Sequence, residues 1–281
     1  MTRNLVDPRK PPSPYHRLFI YYLEGRVAAS EPELGPDFIG NWQENGSSFL
    51  FFSEPMDDAV ERLVSRTDGL ELIDRYTMSY EDWLGERFEG FETGRLAVRP
   101  PWTAVAPGGS KIDVLLDPGV VFGSGTHTTT RDCLSALQEV FRLSEPQTVL
   151  DLGSGTGLLS VAAARLGAKR VLAVDLNLLA VQTTLRNIRL NHMAPRVLAV
   201  QGRAETFIES RTDLLIANIH FDIMKDLVAA SGFTQCDYFI LSGLLRSEAR
   251  VVEGMLSRLP VRLLEQWGDD GVWHTFLGRR R

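Results

Sequence analysis

From residue 147 onward the chain alternates unbroken apolar runs with amphipathic stretches. QTVLDL, KRVLAVD, RVLAVQ, TDLLIAN and DYFILSGL are short apolar runs bounded by glycine or polar residues, and they predict strands. LLSVAAARL, stopped by Gly167, and NLLAVQTTLRNIRLN, DIMKDLVAA and LRSEARVVEGMLSRL predict helices. In the second of these, Leu178, Val181, Leu185 and Ile188 recur at spacings of three and four. VRLLEQW and GVWHTFLGRR close the pattern as two more strands. Strands alternating with helices imply an α/β fold: a doubly wound, mostly parallel, seven-stranded sheet with helices on both faces. Ligands of such sheets bind outside the carboxyl ends of the strands.

The first part of the chain has a different rhythm. YHRLFIYYLEG is a β-rich run, and FIGNWQ and SSFLFF flank Asn45-Gly46, a strong hairpin signal. MDDAVERLVSRT reads as a helix with Val60, Leu63 and Val64 on one face, and LELIDRYTM as a strand. These predict a small α+β domain over 15–78, after a charged, proline-rich lead-in at 1–14 expected to be disordered. Residues 79–106 read as a linker with a helical start and a strand at LAVRP, and 107–281 as the α/β domain.

Composition narrows the function classes. A formal net charge of −6 argues against a broad grip on nucleic acid, which needs a basic face. Cys133 and Cys236 are far apart and neither sits in a C-x-x-C pair, so neither a disulfide framework nor a metal site is expected. MTRNLVDPRKPPSPYHR has no apolar core and no run of eighteen apolar residues occurs, so the expectation is a cytoplasmic protein without leader or membrane span.

The chemistry concentrates at strand ends. Asp151-Leu152-Gly153-Ser154-Gly155-Thr156-Gly157 follows the first strand of the α/β part. Glycines there let a ligand approach the backbone beside free helix N–H groups. A dinucleotide fingerprint starting at Gly153 would need glycine where Leu158 stands, and a phosphate loop would need a lysine. The D-x-G-x-G-x-G spacing resembles the first motif of the S-adenosylmethionine-dependent methyltransferases. Asp175 ends the next strand, where a carboxylate can accept both ribose hydroxyls, and Asn177 is the better helix cap. Asn218 ends the fourth strand, where its carbonyl can accept an N–H from an acceptor amine and aim the nitrogen lone pair at a methyl carbon.

Upstream stands LLDPGVVFGSGTHTTT, with Leu116, Asp117, Pro118, Gly119, Phe122, Gly123, Gly125, His127, Thr129 and Thr130. Together with VLDLGSGTG, ANIH, LSGLL, WHTFLGR, EDWL and LAVRPPW, it resembles the PrmA family of ribosomal protein L11 methyltransferases. The resemblance covers about residues 80–281 well and 15–78 loosely. It implies a protein N-methyltransferase that uses S-adenosylmethionine on lysine side chains of L11, with an α-amine as a further acceptor. It implies a donor pocket of Phe122, Thr129, Thr130, Gly153, Gly155, Gly157, Asp175 and Asn218, with the upstream loop folded over the donor and Asn218 as the catalytic residue. His127 is then structural or pocket-lining. His220 stands where the family has leucine, either as a proton acceptor or as a variant at the pocket rim. In the family a front β-α-β-β-α-β domain grips the ribosomal protein. Here RVAASEPELGPD leaves little room for its first helix. A PrmA-like enzyme with another protein or a small molecule as acceptor is the alternative reading.

Overall fold

The structure is a computed structural model that describes residues 14–28, 34–85, 88–103, 108–268 and 271–281. All but the last residue of the expected lead-in, and the middle of the 26–37 stretch, lie outside the described residues. The chain divides into two compact units, Met1–Glu89 with Pro100–Val105 and Gly90–Arg99 with Ala106–Arg281.

The first unit is an antiparallel sheet of β1 (Arg17–Glu24), β2 (Phe38–Glu44), β3 (Ser47–Phe52) and β4 (Glu71–Ser79), in the order β2-β3-β1-β4. Asn45 and Gly46 form the two-residue turn between β2 and β3, both at positive φ. That backbone matches strand twist, which is why Asn-Gly specifies it. α1 (Asp57–Arg66) lays Val60 on a core of Tyr21, Leu23, Leu50 and Phe52. α2 (Tyr80–Leu84) is a short helix capped by Ser79 and ended by Gly85 at φ 78°.

The second unit begins inside the stretch read as a linker. β5 (Phe91–Thr93), β6 (Leu96–Arg99) and β7 (Ile112–Leu115) make a three-stranded sheet, with Arg99 in a two-pronged ion pair with Asp113. The linker reading at 79–106 is therefore corrected over 90–99, where LAVR is buried strand. Also unanticipated is α3 (Thr128–Leu143), which buries Cys133, Leu137 and Val140 at helical spacing.

The large sheet runs β8 (Thr148–Leu152), β9 (Arg170–Asp175), β10 (Val197–Gln201), β11 (Leu214–Asn218), β12 (Tyr238–Leu245), β13 (Val261–Trp267) and β14 (Trp273–Arg280). Its order is β10-β9-β8-β11-β12-β14-β13, parallel except where β14 pairs antiparallel with β12 and β13. The helices between are α4 (Leu158–Leu166), α5 (Leu178–Leu190), α6 (Ala204–Phe207), α7 (Phe221–Ala229) and α8 (Arg246–Leu256). Leu150, Leu152, Leu215, Ala217, Phe239 and Leu241 share one core with α7 and α8. The intervening residues Asp151 and Ser242 face α4 and α3 on the other side, through Ser160 and Thr129. The two-residue period of the strands thus feeds two apolar layers, which explains the unbroken apolar runs. Chain order reverses between β8 and β11, so a crevice opens at their carboxyl ends. Arg279 and Arg280 belong to β14, and the Arg281 N–H bonds the Pro260 carbonyl at 3.0 Å.

Candidate active site at the sheet reversal

β8 leads into the glycine turn. The N–H groups of Gly153 and Ser154 both donate to the Val174 carbonyl, at 2.8 and 3.0 Å, which ties the turn to the end of β9. Gly153 and Gly155 hold φ of 77° and 54°. A Cβ on Gly153 would run into Ile219, and one on Gly155 into the Phe122 carbonyl oxygen. Gly157 caps α4 and makes room for Thr184 of α5, the geometry of a helix-packing position.

Asp175 is bound to this turn. Its Oδ2 accepts the Gly155 N–H at 2.9 Å and its Oδ1 the Asn177 N–H at 2.9 Å. Burial pushes its carboxyl up from the ordinary range, and these N–H groups pull it back. Each oxygen keeps a lone pair for a further donor. Asn177 caps α5 through Leu179 N–H at 3.0 Å. Capping therefore makes no demand on the Asp175 side chain.

Loop 117–127 docks on the same turn. The Thr156 N–H donates to the Phe122 carbonyl at 3.1 Å and its hydroxyl to the Gly123 carbonyl at 2.7 Å. The Arg131 Nε holds the Gly125 carbonyl at 2.8 Å, with the guanidinium over the Phe91 ring. Two buried asparagines that the sequence reading missed fasten the loop's root. Asn187 Oδ1 accepts the Asp117 N–H, and its Nδ2 donates to the Asp117 and Thr156 carbonyls at 2.9 and 2.8 Å. Asn191 exchanges both bonds with Leu115. Their signal was two amides four residues apart on the inward face of a helix, where apolar residues belong.

Asn218 lies across from this loop. His127 caps α3, its Nδ1 accepting the Thr129 N–H at 3.3 Å and contacting the Thr129 hydroxyl at 2.8 Å. With Nδ1 as acceptor, the hydroxyl donates to it. The hydroxyl oxygen then accepts from the Asn218 amide nitrogen, a long bond of 3.4 Å. Asn218 Oδ1 accepts no hydrogen bond from the described residues, and Gly243 leaves it room: a Cβ there would sit 3.0 Å away. The structure thus joins Thr129 to Asn218, Gly155 to Asp175 and Phe122 to the glycine turn. Thr130 is buried, and its hydroxyl has no partner among the described residues. His220 is largely exposed, 3.8 Å from Asp222. The sequence reading also passed over Leu176, an exposed apolar residue directly after Asp175.

Asp151, the acid that opens the glycine motif, is buried and accepts the Ser160 hydroxyl at 2.5 Å. Burial pushes its carboxyl up to about 6, the Ser160 bond pulls it down, and the Asp175 charge pushes it up. An unfolded aspartate titrates near ~3.9, so between that pH and about 6 the folded chain binds the extra proton and stability falls as pH rises. The penalty is of order 2–3 kcal/mol and persists above that window. Asp151→Asn removes it. The melting temperature of the ligand-free wild type should therefore drop relative to the variant between pH 4 and pH 7, and parallel curves would refute the assignment.

The site suits S-adenosylmethionine on its own geometry. A buried hydroxyl without a partner among the described residues, a turn that excludes side chains and a carboxylate with spare lone pairs match a ligand bearing ammonium, carboxylate and ribose groups. Comparison with known proteins agrees. The family model for "Ribosomal protein L11 methyltransferase (PrmA)" matches residues 47–281. The ribosomal protein L11 methyltransferase of Desulforamulus reducens is 31% identical over 267 residues, covering 91% of this chain and 85% of that one. That of Streptococcus pneumoniae serotype 4 is 35% identical over 267 residues, covering 85% and 84%. The crystal structure of the ribosomal protein L11 methylase from Lactobacillus delbrueckii subsp. bulgaricus superposes with a TM-score of 0.62 at 26% identity, over 69% of this chain and 100% of that one. With its sheet order, its glycine turn and the loop docked upon it, the chain belongs to the ribosomal protein L11 methyltransferase (PrmA) family and is an S-adenosylmethionine-dependent methyltransferase of class I fold.

Proposed function

We propose that this enzyme methylates lysine side chains, and an α-amine, of large-subunit ribosomal protein L11. The observation that carries the reading is the orientation of Asn218: Thr129 holds its amide nitrogen, and its carbonyl oxygen is left as an acceptor at the end of β11. S-adenosylmethionine supplies an electrophilic methyl carbon on a sulfonium. Gly153, Gly155, Asp175, Thr130 and Phe122 hold the donor, and Gly157 shapes the turn by packing. Exposed Leu176 offers apolar surface beside the Asp175 carboxylate. Asn218 Oδ1 accepts an N–H of the incoming amine, which turns the nitrogen lone pair toward the methyl carbon. Positioning of this kind, with water excluded, can supply most of the acceleration of an in-line displacement. The amine must arrive neutral, so the rate should rise with pH toward the lysine pKa.

In this reading residues 15–78 recognise the substrate protein, and 107–281 with the β5–β7 sheet bind the donor. No helix among the described residues is long and apolar enough to cross a membrane. A ribosomal-protein acceptor supports a cytoplasmic location. The second reading, a PrmA-like enzyme with another protein or small-molecule acceptor, is favoured by one observation. The family model's match starts at residue 47, so the segment before it is matched only by individual relatives and not by the model.

The deciding experiment is transfer of labelled methyl groups from S-adenosylmethionine to purified L11 of the same source, with mass spectrometry of the product. Methylated lysine or α-amine is the expected result. Absence of transfer, with donor binding shown by calorimetry on the same preparation, would reject L11 and favour the second reading.

A further inference from the structure

Far along the large sheet from the glycine turn, at its β13 edge, lies an open groove of about 390 Å³ lined by Arg262, Leu264, Arg279, Arg280 and Arg281. No acidic side chain of the described residues lines it. Arg262 and Arg279 are direct partners across the β13–β14 ladder. Like charges in that relation repel and cost stability unless something between them is negative. Arg280 is neutralised by Asp237 at 2.8 Å. Arg262 has no ion-pair partner among the described residues. Among the described residues, Arg279 is held only by the Arg280 carbonyl at 3.3 Å and the Tyr238 ring. Arg281 also lines the groove and is anchored through Nε to the Val261 carbonyl at 2.9 Å. Three exposed guanidiniums therefore converge on one concavity, on a chain whose net charge is −6.

We propose that this groove binds phosphate groups, those of a single-stranded nucleic-acid backbone. Planar guanidiniums grip phosphate oxygens in pairs, and arginine rather than lysine fills all four cationic positions. Arg279 and Arg281 are two residues apart, about 6–7 Å along an extended chain, comparable to the step between successive backbone phosphates. No aromatic or amide side chain lines the groove, so it touches the backbone and reads no bases. An acidic peptide fits less well. Glu265 stands on the same edge strand, and the bulge between Leu263 and Glu265 breaks the register that strand addition would need. The acidic chain as a whole repels nucleic acid, so binding is local and strongly salt-dependent.

The experiment titrates the full chain against a fluorescently labelled single-stranded RNA, reading anisotropy at several salt concentrations. Wild type is compared with the double variant Arg262→Gln, Arg279→Gln. Both residues are exposed, and removing their repulsion leaves the melting temperature equal or higher. The expected result is a loss of at least ~10-fold in affinity at low salt, with a salt slope shallower by more than ~1, while methyl transfer is unchanged. Inorganic pyrophosphate that displaces the RNA at equal phosphate concentration would keep the phosphate site and assign it to a free polyphosphate. Unchanged RNA affinity in the variant overturns the proposal, as does tighter arginine-dependent binding of polyglutamate. A variant that keeps its RNA affinity but self-associates would show instead that the arginines guard the edge strand.

Discussion

Asn218→Ala should lower kcat for methyl transfer by about 10²- to 10³-fold, with the donor dissociation constant changed less than ~3-fold. The residue ends β11 beside the reversal point, and its side chain is held at one end only. Alanine removes the side-chain acceptor that the proposed mechanism uses to orient the amine, but leaves the glycine turn, Asp175 and Thr130 untouched. The loss therefore falls on the bound complex rather than on donor binding. Stopped-flow or steady-state turnover beside calorimetric donor titration separates the two. Equal losses in both would mean that Asn218 merely holds the donor. Thr129→Val is the companion test. It removes the hydroxyl that His127 and Asn218 share and lets the Asn218 amide turn over. Turnover should fall by roughly 10-fold through loss of orientation, with donor affinity kept.

The second large effect is expected at Gly155. Gly155→Ala should weaken donor binding by about 100-fold, measured by calorimetry, with far-UV circular dichroism unchanged. Two penalties add. An L-residue at φ 54° costs about 1–2 kcal/mol, and the new methyl group runs into the backbone oxygen of Phe122. The Phe122 carbonyl is where loop 117–127 docks on Thr156, so relief of the clash pushes that loop off the turn. The Gly155 N–H also holds Asp175 Oδ2, so the carboxylate loses its aim as well. Retained affinity would show that the loop and the turn are not one unit.

How much of this was legible beforehand differs by kind of residue. The asparagine and glycine of the β2–β3 hairpin, the glycine turn, Asp175 with its separate cap Asn177, and the strand and helix rhythm after residue 147 were read from contiguous residues. Each depends on backbone preferences or periodicity within a few positions, which a linear text displays. Helix α3 was missed because the polar run THTTT masks its start, although Cys133, Leu137 and Val140 carry the period. The linker at 79–106 misled because prolines mark a break in the chain but say nothing of which sheet the flanking strands join.

By itself, then, the sequence determined the α/β architecture, the class of donor through glycine spacing, and the order of the site's parts. Only the tertiary structure decided how those parts meet. Asn187 and Asn191 clamp a loop root 70 and 76 residues upstream. Thr129 meets Asn218 across 89 residues. Arg262 faces Arg279 because of one ladder register. Such pairings have no local signature. They arise when buried apolar layers fix the register of strands and the seating of helices, and buried polar groups must then find whichever partners that packing brings within reach.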